Sequence, residues 1–280
     1  MKYTPKELKG NVNISQTSPV REFLLLLGGL LAVILITYAA LGLAVDLVVP
    51  HVPHGIERSL EDLFSGNYKS TEKTAAGMRL QRLLDDLAKE FPEEQRRYSV
   101  YLVPHPEANA LAFPGGTIVV FSELMKEAES ENELAFVLAH ELGHFANRDH
   151  LRALGRRLVL LTISAVILGQ DSSVTRFLTN SLLTVEMKFS QEQEEMADLW
   201  ALDLLNRRYG QVAGATDFLE RLAEKEKESR FRYYFATHPH PRDRVEMLKE
   251  QIRRRKYSMA ERTPLEADFE DSPTSEVVPH

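Results

Sequence analysis

Five residues, His140-Glu141-Leu142-Gly143-His144, set two imidazoles four positions apart with a carboxylate directly after the first. On a helix, positions i and i+4 share a face, so both rings can aim at one ion and supply half of a tetrahedral zinc site. A catalytic zinc takes three protein ligands and keeps a position for water. Glu141 then faces that water as its base and does not touch the metal. A motif this short also arises by chance in helices, so the chain has to supply a third ligand. His150, six residues beyond His144, falls off the shared face, and no histidine completes the metzincin spacing HExxHxxGxxH. Glu194 and Asp198, in FSQEQEEMADLWALDLL (189–205), are again i and i+4. Glu194 can bind the metal, and Asp198 can accept the free N–H of a ligand histidine. On composition alone that stretch is equally a solvated acidic face, because Glu192, Glu194 and Glu195 crowd together.

The elements that must carry these groups follow from pattern. Ser130 and Glu133 have capping-box spacing ahead of LAFVLAHELGHF, which predicts a mostly buried helix beginning near 130. A second helix is predicted over about 184–208, stopped by Gly210. Upstream, helical patterns cover 56–64 and 71–90, the latter with an apolar stripe through Met78, Leu80, Leu83, Leu84 and Leu87. YSVYLVP (98–104) alternates as a strand does, and NALAFPGGTIVVFS (109–122) reads as two short strands around Pro114-Gly115-Gly116. Residues 158–169, LVLLTISAVILG, are too few for an ordinary membrane span; a core helix is the preferred reading, a membrane-dipping helix the alternative. His51, His54 and His105 stand beside prolines and are expected in surface loops.

The chain has 280 residues, 44% hydrophobic and 27% charged, which suits a folded protein with a sizeable core. A net charge of −7 argues against nucleic acid as a partner. Cysteine is absent, which removes disulfides, thiolate metal sites and cysteine nucleophiles together. From Phe23 to Val45 no charge occurs. A helix of that length spans about 35 Å, enough for a hydrocarbon core of about 30 Å. A signal-peptide core is shorter, usually about 7–15 residues. The expected organisation is a polar tail at 1–21, an anchor helix in the lipid bilayer at 22–49, a peptidase domain at 56–256 and an acidic, disordered tail at 257–280. Lys2, Lys6, Lys9 and Arg21 precede the span and few cations follow it, which favours a cytoplasmic N-terminus and an extracytoplasmic body. The opposite topology, with a cytoplasmic catalytic domain, is the alternative.

Four blocks, in order over about residues 70–250, resemble the HtpX/BepA family of membrane-associated zinc metalloendopeptidases, which also contains the CAAX prenyl endopeptidases. They are NALAFPGGTIVV, HELGH, FSQEQEEMAD and THPHPRDRV. The resemblance implies an α+β, mainly helical, zincin-like metallopeptidase domain with a small β-hairpin, beside the one N-terminal transmembrane helix. It implies one zinc per chain held by His140, His144 and Glu194, with Glu141 as catalytic base and Asp198 beside a ligand histidine. His238 falls where the family has a histidine that steadies the oxyanion or caps the zinc, and Arg244 where an arginine braces the site. Composition leaves His240 as eligible as His238; only the interval to Arg244 in the resemblance separates them. Gln191 and Met196 depart from the family pattern at positions that are not ligands. Asn109, Ala110, Leu111 and Ala112 form the candidate sheet edge on which a polypeptide substrate would lie as an added strand, with small alanines leaving it room. The function so implied is hydrolysis of peptide bonds in protein substrates, in protein quality control. A membrane-tethered, non-proteolytic chaperone with a structural zinc is the competing reading.

Overall fold

The apolar N-terminal run is a single helix, α1 (Pro19–Val48), in the computed structural model, which describes residues 18–53, 55–57, 59–60, 74–90, 97–183, 188–225 and 228–265. Pro19 opens it where its missing N–H costs nothing. No residue of α1 is buried, although large apolar side chains run from Val20 to Val48. An apolar helix of a soluble domain would hide them. Among the described residues α1 is the one helix long and apolar enough to cross a membrane. Positions 1–17 of the expected tail lie outside the described residues.

A turn of 3-10 helix at Val49–His51 ends the rod. Of the helix expected over 56–64, positions 61–64 lie outside the described residues, as do 71–73 of the next one. That next helix is α2 (Ala75–Lys89), capped by Thr74, whose hydroxyl accepts from Gly77 N–H at 3.0 Å. Leu80, Leu83, Leu84 and Leu87 form its buried stripe. Gln81 clips α2 to the sheet, donating to Tyr98 C=O and accepting from Val100 N–H, both at 2.9 Å. The expected hairpin is β2 (Ala110–Phe113) and β3 (Thr117–Phe121), antiparallel, with Ala110 opposite Val120. Gly116, at φ +98°, makes the turn, and a Cβ there would meet the Arg97 carbonyl at 2.8 Å. β1 (Ser99–Val103) pairs parallel with β3, so β3 is central and β2 is an edge of this three-stranded sheet.

After a short helix, α3 (Ser122–Glu127), comes α4 (Glu131–Ala146). Ser130 caps it by accepting from Glu133 N–H, and every residue from Asn132 to Phe145 is buried. Val100, Leu102, Ala110, Ala112, Ile118 and Val120 join α2 and α4 in the main core, while Tyr101, Phe113 and Val119 cluster on the sheet's other face. Ala110 and Ala112 therefore point inward. Their small size brings the edge strand close to α4 and is not clearance for a passing chain.

Next are α5 (Asp149–Leu168), α6 (Ser173–Leu183) and α7 (Gln191–Tyr209). Positions 184–187 lie outside the described residues. α7 begins at Gln191 because Ser190 and Gln193 form a reciprocal capping box, and Gly210 ends it at φ +66°. The preferred reading of 158–169 as a core helix is corrected here. That run is the second half of α5, and Leu158, Leu160, Val166, Ile167 and Leu168 are exposed. α5 packs on α1 and α6, leaving its apolar end outside the core. The chain ends with α8 (Asp217–Glu224), α9 (Arg232–Thr237) and α10 (Pro241–Arg255). Residues 257–265, expected to be part of a structureless tail, instead dock on the domain, Tyr257 on Asp203 of α7, Ser258 on Val212, and Thr263 and Pro264 on the start of α4. Thr263 C=O accepts from Glu131 N–H, one of the donors that a helix start leaves unpaired. Positions 266–280 lie outside the described residues.

α4 crosses α7 at close range. A Cβ on Gly143 would stand 2.8 Å from Ala197 Cα and 2.9 Å from its carbonyl oxygen. Gly143→Ala is expected to cost about 1–3 kcal/mol of stability, as overpacking does, read as a lower Tm. Gly55→Ala, whose new carbon meets nothing within 4 Å, is expected to leave Tm unchanged.

Candidate metal centre

One donor atom each from His140, His144, Glu194 and His238 lies within 4.8 Å of the others, and all four residues are buried. α4 supplies the two histidines one turn apart, the first turn of α7 supplies Glu194, and His238 follows the last residue of α9. His140 Nε2 is 3.1 Å from His144 Nε2 and 3.5 Å from Glu194 Oε2; His144 Nε2 is 3.6 Å from Glu194 Oε1. Ligands at about 2.0–2.2 Å from a tetrahedral zinc stand about 3.3–3.6 Å apart. The two imidazole nitrogens and the Glu194 carboxylate therefore fit one small cation.

Protonation makes the same point. His140 Nδ1 lies 2.9 Å from Asp198 Oδ1, and His144 Nδ1 lies 2.9 Å from Asp149 Oδ2. A carboxylate only accepts, so each Nδ1 carries a proton, and each ring in its neutral form presents a bare lone pair at Nε2. Two lone pairs and the Glu194 carboxylate thus meet in a buried space. Such a set of acceptors repels itself unless a positive charge joins it. Burial and the Arg244 guanidinium press His140 down to about 4. For His144, burial opposes the charge, but hydrogen bonds with Asp149 and Glu194 push it up to about 10. Proton and metal ion compete for one acid-rich point.

Around the cluster a second set of contacts fixes the ligands. Arg244, buried on α10, holds Asp198 through Nε at 2.8 Å and Nη2 at 2.7 Å, and its Nη1 lies 2.7 Å from Glu194 Oε2. Burial works against the Glu194 charge, yet His238 and Arg244 hold its carboxyl well below the usual range. Asp198 is lowered in the same way, Arg244 overcoming burial. Phe189 stacks on the His144 ring at 3.8 Å. Glu141 is different: burial pushes its carboxyl up, its Oε2 has no hydrogen-bond partner, and its Oε1 stands 3.7 Å from His238 Nε2. It is a buried carboxyl facing the cluster with one oxygen unspent.

The fold gathers His140, Glu141, His144, Glu194, Asp198, His238 and Arg244 into one place. His238 Nδ1 is 3.0 Å from Glu194 Oε1 and 3.3 Å from His140 Nε2, whereas His240 is exposed at φ +60° ahead of α10. His150 is outside the cluster, with Nε2 at 2.7 Å from the buried Glu57. His51 is exposed and His54 lies outside the described residues; His105, expected on the surface, is half-buried and stacked on Phe121 at 4.2 Å. The edge residues Asn109–Ala112 lie beside α4. The bond from Phe121 N–H to Asn109 C=O sets the ladder's phase. Asn109, Leu111 and Phe113 turn their amides to β3, so Ala110 and Ala112 turn theirs to the open edge. Asn109 Oδ1 accepts from Ala110 N–H at 3.0 Å, leaving the Ala110 C=O and both Ala112 groups facing out. Sequence reasoning missed Asp149 and its anchor Gln193, whose Nε2 donates to Asp149 Oδ1 at 2.7 Å. The signal was there: each ligand histidine needs an acceptor, and only one had been sought.

Residues 75–252, more than half of the chain, match peptidase family M48. The chain is similar to Metalloprotease YcaL of Escherichia coli (strain K12), 29% identical over 203 residues, covering 68% of this chain and 76% of that protein. It is also similar to Metalloprotease LoiP of Escherichia coli (strain K12), 30% identical over 181 residues, covering 62% and 69%. The Beta-barrel assembly-enhancing protease of Yersinia pestis is 31% identical over 160 residues, covering 53% of this chain and 33% of that protein. The chain therefore spans about a third of the latter relative's length.

The two histidine acceptors are expected to differ when lost. Asp149→Asn should weaken divalent-metal binding about 10–100-fold in a chelator-competition titration and cost about 1–3 kcal/mol of stability, since one amide oxygen cannot accept from both His144 and Gln193. Asp198→Asn also strips the partner from buried Arg244 and should cost a further 3–5 kcal/mol or so of stability.

Proposed function

The chain belongs to peptidase family M48, and from that premise we propose that it is a membrane-anchored zinc endopeptidase acting on extended stretches of protein substrates. The observation that supports it most is the convergence of two imidazole lone pairs and one carboxylate at tetrahedral spacing, beside a buried carboxyl with an unpartnered oxygen. A His₂Glu donor set suits zinc in catalytic sites. We assign His140, His144 and Glu194 to hold the ion, Asp149 and Asp198 to orient the histidines, and Arg244 to brace Glu194 and Asp198.

When bound, zinc supplies Lewis acidity to the scissile carbonyl and to water. Glu141 takes the attacking water's proton at its free oxygen and returns it to the leaving nitrogen. Its raised pKa suits it to hold that proton between the two transfers. His238 fills the corner of the cluster that water must take. We assign it a cap on the metal at rest and, once displaced, a donor to the substrate oxyanion. The substrate lies along β2, paired with the Ala112 N–H and C=O and the Ala110 C=O as an added strand.

The unit that does this is assigned to residues 56–256, with docking that continues to Leu265 and the anchor at 22–49 in the lipid bilayer. The lysines and arginine ahead of the anchor support a cytoplasmic N-terminus with the peptidase outside. Similarity to a beta-barrel assembly-enhancing protease supports a role in the quality control of membrane or envelope proteins.

Glu141→Gln is expected to retain one zinc per chain by metal analysis and to lose at least about 10²-fold in cleavage of an unfolded protein. Normal cleavage by that variant removes Glu141 from its role. Ala112→Pro deletes an outward N–H that the sheet does not use. It should raise KM for a polypeptide substrate while leaving zinc content unchanged; an unchanged KM would place the substrate elsewhere.

A further inference from the structure

The apolar outer face of the α5–α6 hairpin plays no part in the peptidase chemistry. Val166 is 80% exposed and Phe177 68%, and Leu158, Leu160, Ile167, Leu168 and Val174 are open as well. A soluble domain rarely leaves a contiguous apolar patch beyond about 300–600 Å². Seven large side chains reach that scale and continue onto the exposed side chains of α1.

The direction of α5 tells what covers this face. Arg148 Nη1 donates to Val49 and Val52 C=O at 2.9 and 2.7 Å, while Arg152 and Arg156 reach Asp46 at 3.2 and 3.0 Å. Gly155 lies so near α1 that a Cβ would meet Val45 Cγ1 at 2.7 Å. Rising numbers on α5 thus run back along falling numbers on α1. Charge stops at the same level on α1 and α5, with none from Phe23 to Val45 or after Arg157 on α5; the hairpin's charges beyond that level are at its tip, Asp171 in the turn and Arg176 in the first turn of α6. Hydroxyls along the hairpin are satisfied within it. Thr162 Oγ1 donates to Leu158 C=O, Thr179 Oγ1 donates to Thr175 C=O, and Ser164 and Thr175 share a buried bond of 2.8 Å between the helices. Lipid demands that economy, since it offers no partner, and hydroxyls bonded across helices hold membrane helices together.

We infer that the α5–α6 hairpin enters the bilayer beside α1, so that a three-helix unit holds the enzyme in the membrane. The inference rests on the reading of α1 as a membrane helix. Residues 158–168 rise about 16 Å, roughly half a hydrocarbon core of about 30 Å, and a polar turn follows at 170–173. The hairpin therefore dips in and returns on the same side. Asp171 in that turn precedes the first turn of α6, where the helix dipole favours a carboxylate. His144 stands one turn before Arg148, so the metal centre lies close to the membrane surface.

The chain has no cysteine, so single cysteines can report position in the full-length protein. Leu35→Cys, Val166→Cys, Phe177→Cys and Lys126→Cys are each labelled with a polarity-sensitive fluorophore in phosphatidylcholine–phosphatidylglycerol vesicles. Labels at 35, 166 and 177 are expected to emit to the blue, to lose emission to bromine-labelled acyl chains and to ignore aqueous iodide. The label at 126 should do the reverse. If 166 and 177 respond to iodide, or to neither quencher, while 35 responds to lipid, the hairpin is outside the bilayer and α1 alone is the anchor. If 35 responds to iodide, the membrane reading of α1 fails and the inference falls with it.

Discussion

A deficit of positive charge inside the protein governs how this molecule is built. Glu141, Asp149, Glu194 and Asp198 are all buried, and the guanidinium among them is that of Arg244. Leaving charges unpaired in a dry interior costs several kcal/mol each, so an arrangement like this persists only if a cation completes it. Arg244 balances Asp198 and part of Glu194; the two histidine lone pairs and the rest of Glu194 point at the place a divalent ion would fill. The tight crossing of α4 on α7 at Gly143 and Ala197 follows from the same need. Two helices far apart in sequence must bring their donor atoms within about 3.5 Å of each other, as a tetrahedral ion requires.

Much of this was legible because a helix imposes its period. His140 with His144, and Glu194 with Asp198, share faces on any α-helix, whatever the fold around them. The hairpin was legible from its Pro-Gly-Gly turn. What escaped was set by corners and by neighbours. Asp149 reaches His144 because Arg148, at φ +55°, turns the chain between α4 and α5, and no periodicity announces a left-handed residue there. His238 and His240 are alike in composition and differ only in which side of a turn they fall on. The apolar run at 158–168 was judged by its own length, whereas its surroundings are set by α1, a hundred residues upstream. The small residues Ala110 and Ala112 were expected to leave room for a passing chain, whereas both are buried against the core and admit α4 instead.

The corner between α4 and α5 is also where α1 meets the candidate metal centre. Arg148 binds the carbonyls of Val49 and Val52 just past α1, and His150 is paired with Glu57 in the linker that follows. Between them stands Asp149, which holds His144 on one oxygen and Gln193 at the head of α7 on the other. Arg148 and His150 thus fasten the segment that follows α1 on both sides of Asp149, the acceptor that orients His144. A polar clasp of this kind, buried at Asp149 and half-buried at Arg148, is stiff, because each partner lost leaves another group desolvated and unmet. The position of the metal centre relative to the end of α1 is therefore built into the fold, with no flexible tether between them at this corner. Under the membrane anchoring proposed for α1, a peptidase so mounted works on chains presented at one height above the bilayer surface. That is a constraint on substrate imposed by where the site stands, separate from any pocket that reads side chains.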